Sequence, residues 1–242
     1  MKHFKLIAFC LAAASAAAAG AQTKLDVSLS GGSFARDESN SYLSYSVRYT
    51  ASPTLDLAFR GTDGKRQTFE GGSFEIVHGG DERELIATLH PLRFPKLDAG
   101  VGISVAGTPE RQNEVVATYD IGWTETDANK DTLRVGLKGF AADSPITAFT
   151  ARGIVPLERG PYDLVAELGV PFVGDNTRST SDGSASREIL GSFGIQFGQR
   201  DRAVGTHVSL MFTNQLGSTT GMSLTPALGN RYAFVLSVGT RF

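Results

Sequence analysis

Apolar and polar side chains alternate along most of this chain, in short stretches separated by turn residues. Successive side chains of a β-strand point to opposite faces, so each stretch predicts a strand with one apolar and one polar face. Leu25, Val27 and Leu29 alternate with Asp26, Ser28 and Ser30, and Leu43, Tyr45, Val47 and Tyr49 alternate with Ser44, Ser46, Arg48 and Thr50. Ala51-Ser52-Pro53 then reads as a tight turn, because proline is barred from a central ladder. Beyond it, Leu55, Leu57 and Phe59 alternate with Asp56, Ala58 and Arg60. The pattern returns at 85–92, less cleanly because Ile86 falls on the face of Glu84, Thr88 and His90. It continues at 97–106, 115–124, 133–138, 148–155, 162–172, 189–198 and 204–213.

The last stretch is the sharpest. Tyr232, Phe234, Leu236, Val238, Thr240 and Phe242 share one face, with aromatic rings at both ends. Arg231, Ala233, Val235, Ser237, Gly239 and Arg241 share the other. A strand that shows one face to lipid and the other to a polar lumen needs this arrangement, and about ten tilted residues suffice to cross a bilayer. The stretch, ending on Phe242, resembles the terminal strand of bacterial outer-membrane β-barrels, whose assembly signal is an alternating final strand ending in phenylalanine. The resemblance implies an all-β, antiparallel transmembrane barrel in the bacterial outer membrane. It also implies membrane lipid and the barrel-assembly machinery as partners, with Tyr232, Phe234, Leu236, Val238 and Phe242 as the assembly signal.

Counting stretches gives about twelve crossings. With both termini on one side, short connections fall near 51–53, 93–96, 126–131, 157–160 and 200–202, and the others, several of them long, near 35–41, 62–82, 108–112, 142–145, 173–186 and 215–230. Short periplasmic turns and longer outer loops are what such barrels show. Residues 62–82 are therefore read as a long loop with a hairpin arm, since a further crossing at 68–78 would scramble the division. Fourteen strands remain an alternative if Met222 and Leu224 mark another crossing. The polar stretch 174–186 reads as a loop that buries nothing.

Residues 1–21 carry Lys2 and Lys5, an apolar run from Leu6, and Ala19-Gly20-Ala21 in the small-x-small pattern of a cleaved secretory signal. That leaves 22–242 as the barrel domain. Cys10 follows Phe9 too early in the apolar run for a lipoprotein, and its loss with the signal leaves the mature chain without cysteine. Removing Lys2 and Lys5 from the 23 basic residues leaves 21 against 25 acidic ones, too mild and too evenly spread for nucleic acid. A mean hydropathy of −0.08 would be odd for a helical membrane protein, yet suits a barrel in which only alternate residues meet lipid. A soluble sandwich or lipocalin-like barrel would alternate as well. Against it stand the long strands and a polar face rich in Gly and Ser rather than Lys and Glu.

Alternation places Asp26, Asp56, Asp98, Asp120, Asp163 and Glu167 in the lumen, against Arg48, Arg60, Arg134, Lys138, Arg152 and Arg241, with His207 beside them. Balanced signs argue against a strongly ion-selective pore. Segregated charges would flank a narrow channel for small solutes, whereas interleaved ones would pair and close the barrel, leaving a structural or loop-mediated adhesion role. A lipid-modifying enzyme is the remote alternative. His207 and Ser209 are the tempting pair, but both point to the lumen, and no GxSxG, HExxH or Walker-type motif occurs. No cofactor is expected, and no cluster has metal-ligand spacing.

The sequence makes two predictions. N-terminal sequencing of protein from an outer-membrane fraction should begin at Gln22, and retention of Met1 would overturn the signal. Along 132–140, Val135→Arg should cost about 2–4 kcal/mol by placing a charge in lipid, while Gly136→Ser, facing the lumen, is expected to be far milder.

Overall fold

The computed structural model of this chain describes residues 24–34, 41–64, 81–107, 114–141, 145–157, 161–178, 184–198, 205–215, 220, 222–224, 226 and 232–241. The first strands are β1 (Lys24–Phe34), β2 (Ser41–Ser52), β3 (Leu55–Gly64), β4 (Asp81–Arg93), β5 (Leu97–Gly107) and β6 (Glu114–Thr126). They are followed by β7 (Thr132–Ala141), β8 (Ile146–Pro156) and β9 (Tyr162–Val173). Two short strands, β10 (Thr177–Arg178) and β11 (Ala185–Ser186), pair with each other outside the barrel sheet. The series ends with β12 (Leu190–Gly198), β13 (Gly205–Thr213) and β14 (Ala233–Arg241).

The twelve long strands form a closed antiparallel barrel in which each pairs with its chain neighbours, β12 joins β9, and β14 returns to β1. Closure matters because hydrocarbon offers no hydrogen bonds, so a sheet crossing a bilayer cannot have an open edge. The register is continuous from Asp26↔Arg241 to Phe34↔Ala233 at the closing seam. Connections at 53–54, 94–96, 127–131, 157–161 and 199–204 lie at one end, and the remaining ones at the other, the division that the spacing predicts. The turn at 127–131 shows the local chemistry: Asp127 Oδ1 accepts hydrogen bonds from the backbone N–H of Asn129 and of Asp131, each 2.9 Å long. Lys130 takes the left-handed conformation there, with φ 67°.

The two faces sort inversely to those of a soluble protein. Val115 is 73% exposed, and Ile103, Leu85, Phe193 and Phe234 are more than half exposed on the outer surface. The inward apolar residues Ile86, Val116, Val165, Leu190 and Val235 are buried. A soluble sandwich would bury the first set, so the belt decides for the bilayer; an apolar surface this extensive has no place in water. Aromatic rings gather at both rims, Tyr162 against Phe197 at 5.4 Å at the short-turn end, and Phe212 between Tyr232 and Phe234 at 4.8 and 5.1 Å at the other. Such girdles mark the two interfaces of a membrane barrel.

Several expectations change. Met222–Leu224 is a 3-10 helix, so the suggested extra crossing is not a strand. The stretch 174–186 does bury a group: Asn176 is wholly buried, with Nδ2 donating to the Glu188 and Leu224 carbonyls at 3.0 and 3.1 Å. The hairpin arm at 68–78, the signal region 1–21 and Phe242 lie outside the described residues. Gly136 is not a mild site. It faces Gly122 across the β6–β7 ladder, and a Cβ there would collide with the Ile121 carbonyl and come within 2.8 Å of the Gly122 Cα.

The lumen partner of Gly136 on the other side, Thr150 of β8, replaces it as the control. A fluorophore on a cysteine at 135 should be quenched by lipid-borne quenchers, and one at 150 by aqueous quenchers only. If 135 answers to aqueous quenchers alone, β7 does not face lipid.

Candidate functional site: the barrel interior

Near the short-turn end the interior is organised by Asp56 of β3, which is buried. Arg48 of β2 hydrogen-bonds its Oδ2, and Arg93 Nη2 of β4 donates to the same oxygen at 2.6 Å. His90 of β4 is also buried; its Nδ1 lies 2.8 Å from Asp98 Oδ1 of β5. Its Nε2 lies 2.9 Å from Asp56 Oδ2 without hydrogen-bond alignment. Strict alternation forbids His90 and Arg93 from sharing a face. The β4–β5 register shifts between Leu89 and Leu92, around Pro91, and this bulge turns Arg93 inward to meet Asp98. A bulge inserts one unpaired residue and re-aims the side chains beyond it.

Further along the same wall, Arg134 Nη2 of β7 donates to Asp120 Oδ1 of β6 at 2.5 Å. Its guanidinium lies across Gly122, where a Cβ would occupy the same space. Arg152 Nε of β8 is 2.9 Å from Glu167 Oε1 of β9. Towards the long-loop end, Glu84 of β4 is 1% exposed. It accepts from Ser104 Oγ at 2.7 Å and lies 3.6 Å from Arg60 Nη1. These pairs join strands that are neighbours in the ring, so they lie flat along the wall and do not bridge the lumen.

What crosses the lumen is the connection between β13 and β14. Gln215 bridges Pro226, folding the segment back, and Thr220, Leu224 and Pro226 are buried. The backbone N–H of Thr220 donates to Glu84 Oε2 at 3.0 Å. Lys138 Nζ of β7 donates to Ser223 Oγ at 2.7 Å. In ring order, β4 and β7 flank β5 and β6, the strands opposite β13 and β14, so Thr220 and Ser223 reach across the interior to the far wall. The segment narrows the lumen at its long-loop end.

Below this constriction a cavity of about 470 Å³ runs along the charged wall, bordered by Asp56, Asp120, Arg134, Arg152 and Glu167 among others. A second, of about 210 Å³, lies against the wall formed by β12, β13, β14 and β1. Of the residues that alternation sends inward, Arg48, Asp56, Arg60, Asp98, Asp120, Arg134, Lys138, Arg152 and Glu167 border the larger cavity. Asp26 stands in register between Arg48 and Arg241, Asp163 opposite Gln196, and His207 opposite Gly239 with its ring lying over that glycine. Glu84 and His90 are legible on the face of Ile86 and Thr88. Arg93 is not, because the bulge breaks parity, and nothing in the alternation signals Thr220 or Ser223. Among the described residues no group of His, Cys, Asp and Glu is placed to hold a metal.

No known family profile matches this sequence, and no curated protein matches it. Solved structures do. The barrel is similar to the KdgM porin, with a TM-score of 0.55 at 8% identity, over 90% of this chain and 99% of that one. It is similar to the NanC porin with a TM-score of 0.51 at 7% identity, over 90% and 98%. The KdgM porin in complex with disordered oligogalacturonate gives 0.53 at 8% identity, over 90% and 99%. At such identities the likeness is one of fold: the chain has the porin type of closed twelve-strand barrel.

Glu84→Ala removes the acceptor for Ser104, the partner of Arg60 and the tether of Thr220 together. Hydrogen bonds to charged groups contribute about 1.5–3 kcal/mol each when lost singly, so the folded barrel should lose on the order of 3 kcal/mol in denaturant titration. An unchanged unfolding midpoint would show that Glu84 does not hold the crossing segment.

Proposed function

We propose that this chain is exported through a cleaved signal, residues 1–21, and that residues 22–242 insert into the bacterial outer membrane as a narrow channel for small hydrophilic solutes. In this reading the barrel-assembly machinery recognises the terminal strand with Phe242, and Phe234, Leu236 and Val238 turn to lipid. The exposure of those three residues on the outer face supports it. The observation that carries the channel is the polar cavity of about 470 Å³, whose ion pairs join neighbouring strands along the wall. Its bases and acids alternate, so it offers little preference for either sign of ion. The neighbouring structures are named porins, one with oligogalacturonate, and this agrees with transport without naming a solute here.

The segment that crosses from β13–β14 to Glu84 and Lys138 favours a second reading, a closed barrel whose role is structural. No catalytic step is assigned. His207 and Ser209 are on the interior wall, whereas a lipid-cleaving nucleophile and its base must open to the bilayer.

Planar-bilayer recording separates the two readings. The channel predicts small stable conductance steps with similar permeability to potassium and chloride. Folded, protease-protected protein that never conducts would establish the closed barrel.

A further inference from the structure

The interior has two unlike walls. Charged pairs occupy β2 to β9, while β12, β13, β14 and β1, beyond Asp26, His207 and Arg241 at their short-turn end, present rows of uncharged side chains. Ladder pairing sets these rows. Gln196, Ser209, Ser237 and Ser30 stand side by side across four strands. The next inward row holds Val165, Gly194, Met211 and Val235. The row after it holds Glu167, Ser192 and Thr213. An apolar stripe therefore runs between two polar rows, with about 7 Å from one row to the next.

The cavity of about 210 Å³ lies on this surface, bordered by Ser30, Ser192, Gln196, Ser209, Met211 and Val235. Ser192 is only 9% exposed, and its Oγ has no hydrogen-bond partner among the described residues. A buried hydroxyl without a partner is costly, and one that borders a cavity is satisfied when something polar enters. Among the described residues the charges at the cavity are Arg152 and Glu167, already 2.9 Å apart and bound to each other.

We infer that this wall is a binding surface for an uncharged polyhydroxylated solute, a neutral sugar of one or two rings. Hydroxyl and carboxamide groups both donate and accept, as each sugar hydroxyl does. The stripe of Val165, Met211 and Val235 takes the C–H face of a ring, and the rows on either side take its hydroxyls. A row spacing of about 7 Å matches the width of one substituted ring. A charged solute would shed water here without meeting an unpaired opposite charge, which disfavours it. The inference deepens the channel reading by naming the solute class, and rests on it only for transport, since binding can be measured alone.

Equilibrium dialysis of the folded full mature chain in detergent tests the site, with maltose and the acidic disaccharide digalacturonate as probes. Maltose should bind, and digalacturonate should bind at least about tenfold more weakly, the discrimination expected when a charge is desolvated without a partner. Ser192→Ala should weaken maltose binding by about three- to tenfold, the loss of one hydrogen bond. Met211→Ala should weaken it as well, while Ile195→Leu on the lipid face of the same wall should not. Heat-modifiable mobility confirms that each variant is folded. Equal binding of both sugars, no binding of either, or indifference to Ser192→Ala and Met211→Ala would overturn the site. Bilayer recording on the same samples keeps the two readings apart. Conductance without maltose binding removes the site and leaves the channel, and maltose binding without conductance does the reverse.

Discussion

Every backbone N–H and C=O in the hydrocarbon layer must find its partner within the protein, and the seam between β1 and β14 is where this barrel meets that demand. Without it the first and last strands would be open edges, which lipid does not tolerate. Closure in turn forces alternation, because each strand now has one face to lipid and one to the lumen. It also forces the turns to divide between two ends, since antiparallel neighbours reverse direction at each connection. The exposed belt of Val115, Ile103 and Phe193 and the inward Val165 and Val235 are consequences of the same closure.

The lumen then poses its own problem. Long charged side chains must be accommodated inside a twelve-strand ring, and the chain does so by laying them flat. Arg134 reaches Asp120 over Gly122, and the His207 ring lies over Gly239. The lumen glycines are thus the space into which arginine and histidine fold. Asp56 receives two guanidinium groups from the strands on either side, so the base of the wall is cross-linked over β2, β3 and β4. Interleaved charge is expected to mean a filled barrel. It does not here, because the pairs join ring neighbours, and what reaches into the interior instead is Thr220, Ser223 and Leu224 of the β13–β14 connection.

The fold is legible in the sequence because the period of two is enforced at every crossing. Strand number, the parity of Arg134 and Lys138, and the division of short and long connections all come from it. Where a local event breaks the period, reading fails. Arg93 is lost to the bulge at Pro91, a residue whose missing N–H makes such a break natural. The apparent irregularity at Ile86, by contrast, is a true lumen position beside Glu84. Gly136 defeats the pattern because alternation tells which face a residue takes and nothing about the distance to the next strand; Ile121 and Gly122 approach too closely for any side chain. Contacts such as Thr220 to Glu84 span much of the sequence and depend on how a loop re-enters, for which no periodicity exists.

Closure also explains why the interior has two walls. Charged lumen residues cluster in the middle of the chain, from β2 to β9, while the last three strands, beyond His207 and Arg241 at their short-turn end, carry uncharged ones inward. Joining β14 to β1 turns that difference along the sequence into a difference across the lumen. The inner face of β14 carries Ala233, Val235, Ser237 and Gly239, small or medium groups throughout. Small inner groups leave Phe234, Leu236 and Val238 free to present a regular outer face without large neighbours distorting the strand. The wall that results offers hydroxyl, carboxamide and apolar groups around a single ion pair, Arg152 with Glu167. Thr220 and Ser223, between Gln215 and Pro226, touch the charged wall at Glu84 and Lys138, while Ser192 and Met211 still border the smaller cavity.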